Sequence, residues 1–277
     1  MNTVSHLPAK YICPICRQAL QQVKNSYQCD NGHNFDCAKE GYVNLLVVQQ
    51  KKSKNPGDNK TMIVARKSFL DKGYYDIIID PCKKLIADLG YENSNLLDIG
   101  CGDGYFTQQI IGPLNFQRAY ALDISKDAIK IAAKRHKQIN WLVASGVNIP
   151  IEKSHIDVIL KINAPLNYEV AANLLNQNGI IISITPGSQH LYEFKQLIYQ
   201  TPQTHQAEEA PAQFKSIKKI ELEGKICLTN NTDIQNLFVM TPYYWNASTA
   251  TKEKVATVDR LETQIAFTIN VWQAVKD

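Results

Sequence analysis

The spacing of apolar residues divides the chain into stretches of different character. Residues 10–48 show little apolar periodicity but many turn formers and cysteines, the mark of a small module rather than of a helix or sheet layer. Residues 49–58 are basic and poor in apolar side chains, and they read as a linker. From Asn59 the pattern becomes helical, with Met62, Ala65, Phe69 and Leu70 on one face and Gly73 as the stop. Beyond that point short apolar runs alternate with helical patterns. Strands are predicted at 96–99, 119–122, 141–144, 156–162 and 180–185, and helices at 105–111, from a Ser125 cap to about 135, at 168–175 and at 188–199. Such alternation predicts an α/β chain with a doubly wound, Rossmann-like parallel sheet. The tail differs, because 263–273 reads as one long strand with no glycine turn before it. The expected division is 1–48 for the small module, 49–75 for a basic linker and connecting helix, and 76–277 for the large domain.

Composition narrows the class. The chain has 277 residues, 44% hydrophobic and 20% charged, which is ordinary for a globular protein. It contains no apolar run of the roughly 20 residues that a membrane span needs, and its start lacks the pattern of a secretory leader. A cytoplasmic protein without a membrane partner is expected. Residues 1–67 carry ten basic and four acidic side chains, against 20 and 22 in the remainder. That asymmetry suits an anionic partner for the N-terminal part, and equally a merely solubilising surface.

Two constellations carry chemistry. Asp98, Gly100, Gly102 and Gly104 lie where a strand gives way to a helix, and Asp123 ends the next strand. Without a Cβ the glycines let the backbone turn sharply and approach a ligand, and an acid after the second strand can accept ribose hydroxyls. A dinucleotide fold usually spaces its glycines G-x-G-x-x-G around a pyrophosphate. Here the spacing is G-x-G-x-G, and the acid two residues before the first glycine would repel phosphate. It suits a ligand with an ammonium and a sulfonium, as S-adenosylmethionine has. Residues 144–146, 163–165 and 186–190 follow later strands, where such a sheet forms its crevice.

The second constellation is Cys13-x2-Cys16 and Cys29-x3-His33, two knuckles 12 residues apart. Three thiolates and one imidazole favour zinc in a closed, structural site. A module of this size needs such a staple, with Tyr11, Ile12, Tyr27 and Phe35 as its minimal core. Cys37 lies near but is surplus to four ligands.

Taken together, residues 11–20, 24–29 and 32–46, the turn at 98–107, and the shorter groups Pro56-Gly57-Asp58, Ala65-Arg66, Phe69-Leu70-Asp71 and Met240-Thr241-Pro242 resemble the bacterial 23S ribosomal RNA (guanine-N(1)-)methyltransferases of the RlmA type. The resemblance runs over nearly the whole chain. It implies a class I methyltransferase sheet with an N-terminal zinc-binding domain, and Zn2+ at Cys13, Cys16, Cys29 and His33. It also implies S-adenosyl-L-methionine contacted by Tyr75, the Gly100–Gly104 turn, Asp123 and His190, and methyl transfer to N(1) of a guanine in a hairpin loop of 23S ribosomal RNA. On its own, His190 would read as a polar residue at a helix start. Three positions depart from the family's pattern: Gln189 stands for an arginine, Asn163 for a tyrosine, and Asn178-Gly179 for a Pro-Gly or Gly-Gly turn.

For the RNA, Tyr42, Tyr74, Tyr243, Tyr244 and Trp245 are candidates to stack on a base, and Lys51, Lys52, Lys54, Arg66 and Lys67 to neutralise phosphates. No general base is identified; a carboxylate and His190 are the types considered. A homodimer is neither required nor excluded. A small-molecule methyltransferase and a non-catalytic RNA-binding adaptor on the same scaffold stay open as alternatives.

Overall fold

In the computed structural model, residues 8–47 and 57–275 are described. The first described elements are three short strands, β1 (Gln21–Val23), β2 (Ser26–Gln28) and β3 (Asn34–Asp36), paired antiparallel in a small sheet. β4 (Tyr42–Asn44) leaves that ribbon and pairs parallel to β7 (Asn140–Val143) at the edge of the large sheet. Between them come α1 (Lys60–Leu70), a 3-10 turn at Asp76–Ile78, α2 (Ile79–Asp88), β5 (Asn95–Ile99), β6 (Arg118–Asp123) and α3 (Lys126–Arg135). The chain continues through β8 (Ile156–Ile162), α4 (Tyr168–Leu174), β9 (Leu175–Pro186), α5 (Tyr192–Ile198) and β10 (Phe214–Leu228). It ends with α6 (Asn231–Val239), α7 (Tyr243–Asn246), α8 (Thr249–Ala256) and β11 (Leu261–Ala274).

Among the described residues the large sheet has eight strands in the order β10-β11-β9-β8-β5-β6-β7-β4. Six run parallel, and β11 lies antiparallel to both β9 and β10. The strand order reverses beside β5, so the crevice at the switch point opens at the carboxyl ends of β5 and its neighbours. This is the mixed sheet of a class I methyltransferase fold. Ser125 caps α3 as its sequence predicts, its side chain accepting from Ala128 N–H. The helix after the glycine turn is irregular instead, with Thr107–Ile111 in a π turn, a local form often found at functional sites. In α1 the buried positions are Ile63, Ala65, Phe69 and Leu70, so Ile63 replaces Met62 on the apolar face. The helix expected from Ser188 starts at Tyr192, because the turn before it folds inward: His190 N–H bonds Gly187 O and Leu191 N–H bonds Gln264 O.

Alternate residues of the central strands feed two separate cores, as a pleated strand requires. On one face Leu96, Ala119, Ala121, Val158 and Leu160 pack under α1, α2, α3 and α6. On the other, Leu97, Leu122, Ile159 and Ile181 are covered by α4 and by the ribbon, whose Tyr11, Cys13, Leu20 and Tyr27 belong to the same cluster. The ribbon therefore occupies a place that helices fill in a doubly wound sheet. Tyr11 and Tyr27 meet edge to face at 4.8 Å, and Tyr11 reaches Tyr120 of β6 at 6.0 Å. The Tyr120 hydroxyl also accepts Lys10 N–H and contacts His155 Nε2, both at 3.0 Å. Among the described residues no helix is long and apolar enough to cross a membrane.

Candidate functional site

The four expected metal ligands converge. Cys13 Sγ, Cys16 Sγ, Cys29 Sγ and a ring nitrogen of His33 lie within 4.8 Å of one another. Cys16 Sγ and Cys29 Sγ are 3.6 Å apart, and His33 Nδ1 lies 3.5 Å from Cys13 Sγ and 3.3 Å from Cys29 Sγ. Ligand bonds of about 2.3 Å to sulfur and 2.0 Å to nitrogen around a tetrahedral ion require separations of about 3.4–3.8 Å, close to these three, so a small inward adjustment of the widest pair lets the donor set hold zinc. The Gln18 N–H aimed at Cys16 holds that thiol down at about 6, nearer the thiolate a metal needs. Gly32, at φ +79°, makes the turn that brings His33 back over Cys29. Cys37 stands outside the cluster, its backbone bridged to Val43.

The second site is a cavity of about 1260 Å³ at the carboxyl ends of β5, β6, β8 and β9. Tyr75, Asp98, Gly100, Gly102, Asp123 and His190 all line it. Gly100 (φ +73°) passes against Ala164, whose Cβ any side chain there would strike. At Gly102 a Cβ would enter open space, with only Arg66 Nη1 at 4.0 Å, so the bare backbone forms the cradle wall. Gly104 does not line the cavity. A Cβ there would meet Trp141 Cη2 at 2.7 Å and Ala132 Cβ at 2.8 Å, so its bareness serves the packing of α3 and β7 on the turn.

The two acids are held differently. Asp98 is 2% exposed, and its Oδ2 accepts Thr107 Oγ1–H at 2.6 Å. Burial raises it to about 7, against the Thr107 bond that favours the carboxylate. Asp123 accepts Gly102 N–H at 3.0 Å and Ser125 N–H at 2.8 Å, one on each oxygen, which leaves lone pairs for a ligand's hydroxyls. The loop at 57–58 closes over this end: Ser125 Oγ–H bonds Asp58 O, and Arg66 is ion-paired with Asp58 and donates to Met240 O. Deeper in, His190 is 4% exposed. Its Nδ1 accepts Ala266 N–H at 3.2 Å, so Nε2 carries the hydrogen and donates to the Tyr75 hydroxyl oxygen at 3.3 Å. Burial, reinforced by His205, drives His190 down to about 3. It is thus neutral at physiological pH, with both nitrogens engaged, and cannot serve as a general base. Among the described residues the Tyr75 O–H then has no acceptor, and Tyr75 lines the cavity. Thr185 Oγ1, on the wall at the end of β9, is buried without a hydrogen-bond partner among the described residues, a polar atom that a ligand can satisfy. Bare glycine backbone, two carboxylates and this unpaired hydroxyl fit S-adenosylmethionine.

Several expectations are corrected. Tyr42 is 6% exposed and packs in the core through β4, so it cannot stack on a base. Tyr74 donates to Asp233 at 2.8 Å, and Tyr243 and Tyr244 are half-buried; Trp245 alone of the five is exposed, at 49%. Arg66 and Lys67 stand in ion pairs with Asp58 and Asp71 and keep part of their side chains exposed. Lys51, Lys52 and Lys54 lie outside the described residues. Conversely, the cavity wall includes His205, Thr185 and Tyr243, of which only Tyr243 drew attention in the sequence, and then as an exposed ring. His205 sits in a stretch without regular structure, where no spacing rule singles it out.

A class I sheet with a glycine cradle for an adenosyl donor, joined to a closed zinc ribbon, defines an S-adenosylmethionine-dependent methyltransferase. Comparison with known proteins gives the family. Residues 11–54 match the family model for the N-terminal zinc ribbon of RlmA, and residues 96–177 match that of a methyltransferase domain. The Bacillus subtilis protein "Putative 23S rRNA (guanine-N(1)-)-methyltransferase YxjB" is 31% identical over 195 residues, 68% of either chain. The 23S rRNA (guanine(748)-N(1))-methyltransferase of Streptomyces fradiae is 30% identical over 185 residues, 65% of either chain. The chain belongs to the 23S rRNA (guanine-N(1)-)-methyltransferase family of the RlmA type.

Proposed function

We propose that this chain transfers a methyl group from S-adenosylmethionine to N(1) of a guanine in a hairpin loop of 23S ribosomal RNA. The observation that carries the reading is the size and lining of one cavity. Small-ligand pockets run to about 300–1,000 Å³. This one, at about 1260 Å³, has room for a nucleoside donor at the glycine turn and for a splayed-out base beside 163–167 and Tyr243. The kinship with rRNA methyltransferases supports the substrate class.

In this reading Asp123 accepts the ribose hydroxyls, and Asp98 with the backbone of Gly100 and Gly102 forms the cradle for the cationic methionine end. Tyr75 donates its hydroxyl hydrogen to the donor from a ring fixed by His190, and Gly104 acts through packing. Cys13, Cys16, Cys29 and His33 hold a structural zinc, which keeps the ribbon in place as an RNA-contacting surface. The donor, when bound, supplies an electrophilic methyl group. The protein's task is to hold the base in line with it and to exclude water, chiefly a problem of positioning. Asn163, at φ +51° on the cavity wall, offers amide groups for a base edge but no basic site. Incubating the zinc-loaded chain with tritiated S-adenosylmethionine and rRNA lacking the modification tests the reading. Label in RNA supports it. Label only in a pool of small metabolites, or none anywhere, rejects it.

A further inference from the structure

Guanine N1 carries a hydrogen, so its electron pair is not free to attack until that proton has somewhere to go. Most titratable groups on the cavity wall are already committed. Asp58 is paired with Arg66, and Asp103 with Arg135 at 2.6 Å. Asp98 and Asp123 hold Thr107 and the turn backbone, Tyr105 donates to Asp76 at 2.6 Å, and His190 has both nitrogens engaged. Cys101 is a partly buried thiol raised well above its ordinary value by desolvation. His205 is different. Its Nε2 lies 3.4 Å from the Tyr243 hydroxyl, and among the described residues Nδ1 has no partner.

We propose that His205 accepts the N1 proton of the target guanine through Nδ1, with Tyr243 as the positioning residue that fixes its ring. The proposal rests on the guanine-N(1) reading above. With hydrogen on Nε2, the ring donates to the Tyr243 oxygen and presents its Nδ1 lone pair, the arrangement of a base held by an orienting group. The segment that carries His205, residues 199–213, is pinned over the cavity at several points. His205 N–H bonds Ser188 O at 3.1 Å, and Lys195 Nζ bonds Gln203 O at 2.8 Å. Glu208 plugs into the sheet, accepting from Lys161 Nζ at 2.8 Å, Tyr168 O–H at 2.5 Å and Ser183 Oγ–H at 2.5 Å. Lys161 is 4% exposed on β8, two residues before Asn163. This pair, its lysine buried and its carboxylate partly exposed, ties the segment to the sheet. The groups facing His205 are His190 on the turn after β9, Lys195 on α5 and Tyr243 on α7. Burial and the Lys195 ammonium keep His205 below its ordinary value, so it is neutral and ready to accept at physiological pH.

The step balances. The N1–H bonding pair stays on nitrogen and forms the new N–CH3 bond, while the proton passes to His205 Nδ1. The C–S bond breaks with its pair returning to sulfur, so the positive charge of the sulfonium reappears on the His205 imidazolium. That ring then loses its proton to solvent.

The test uses the full, zinc-loaded chain with an rRNA hairpin fragment in single-turnover reactions. His205→Gln is expected to slow transfer by about 10²–10⁴-fold. Its affinities for S-adenosylmethionine (calorimetry) and RNA (filter binding) should stay within about twofold, in keeping with a purely chemical role. The wild-type rate should level off already below the ordinary imidazole range, whereas the variant's should keep climbing as the guanine ionises by itself. Tyr243→Phe should give a smaller loss with the wild-type form of the profile. A His205→Gln chain of unchanged rate overturns the proposal. So does a loss explained wholly by weaker binding with an unchanged pH profile, which would mark a structural role. If the wild-type chain itself puts no methyl group on guanine N1, the functional reading falls, and this role with it.

Discussion

The zinc ribbon and the glycine cradle solve the same problem, holding a charged centre in place, by opposite means. The ribbon takes its four donors from positions 13 to 33 and brings them together with two tight turns. The cradle draws its wall from positions 57 to 243, assembled by the parallel sheet. The contrast teaches where chemistry can be local. A metal site can be written into a short stretch, because the ion itself supplies the binding energy. A site for a nucleoside and a base needs a crevice, which only the fold provides. Yet the two are not independent bodies. The ribbon's Tyr11, Cys13 and Tyr27 share a core with Leu97 and Leu122 of the sheet.

That shared core makes zinc removal the largest perturbation. Zinc in such sites contributes of the order of 10 kcal/mol to local folding. Chelation, or Cys13→Ser, should uncover one apolar face of the sheet. The melting temperature should drop by 10 °C or more, of the order expected for a loss of several kcal/mol, and binding of a hydrophobic dye should rise. A ribbon that unfolds in a separate transition, with no dye signal, would show the two regions to be uncoupled.

The next contrast sets one glycine against another. Gly100→Ala combines left-handed strain with a collision against Ala164, and should cost about 2–4 kcal/mol in denaturant unfolding. Gly32→Ala has the same strain but open space, and should cost about 1–2 kcal/mol. Equal losses would mean that the close approach at Gly100 relaxes freely.

Asp98 makes the cradle respond to pH near neutrality. Burial raises its carboxyl, so its contribution to the stability of the ligand-free fold is present below pH 4 and is lost as pH rises through about 7. A cationic donor prefers the ionised form. Affinity for S-adenosylmethionine should therefore fall by about tenfold per unit below pH 7, and Asp98→Asn should flatten that slope. Calorimetry across pH 5–8 (about the range where a group raised in this way titrates) checks it; a slope retained in the variant assigns the proton elsewhere. The smallest effect belongs to the seam between the regions. Tyr120→Phe removes the hydroxyl that meets Lys10 and His155, and should cost about 1 kcal/mol in unfolding free energy.

What the sequence discloses follows the same division. The four metal ligands, the glycine turn and the Ser125 cap are local patterns, and each stands where its spacing implies. β10 escapes notice because it is an edge strand dense in Lys and Glu, a composition that protects an exposed edge and blurs the strand signal. Tyr42 deceives for a non-local reason: β4 pairs with β7 across about a hundred residues of chain, and nothing near Tyr42 records that pairing. Lys161, buried within a largely apolar strand, is a sign that a partner exists, but the identity of that partner, Glu208, depends on how 199–213 folds back. His205 has no local mark at all, since its place on the wall is set by that same return.

We propose that the cradle and the ribbon together serve methyl transfer to a guanine of 23S ribosomal RNA. Nucleoside mass spectrometry of rRNA treated with this chain and S-adenosylmethionine, followed by mapping of the modified fragment, tests it most directly. The expected product is 1-methylguanosine at a single hairpin-loop position. A methyl group on another base, on another atom of guanine, or spread over many positions would contradict it.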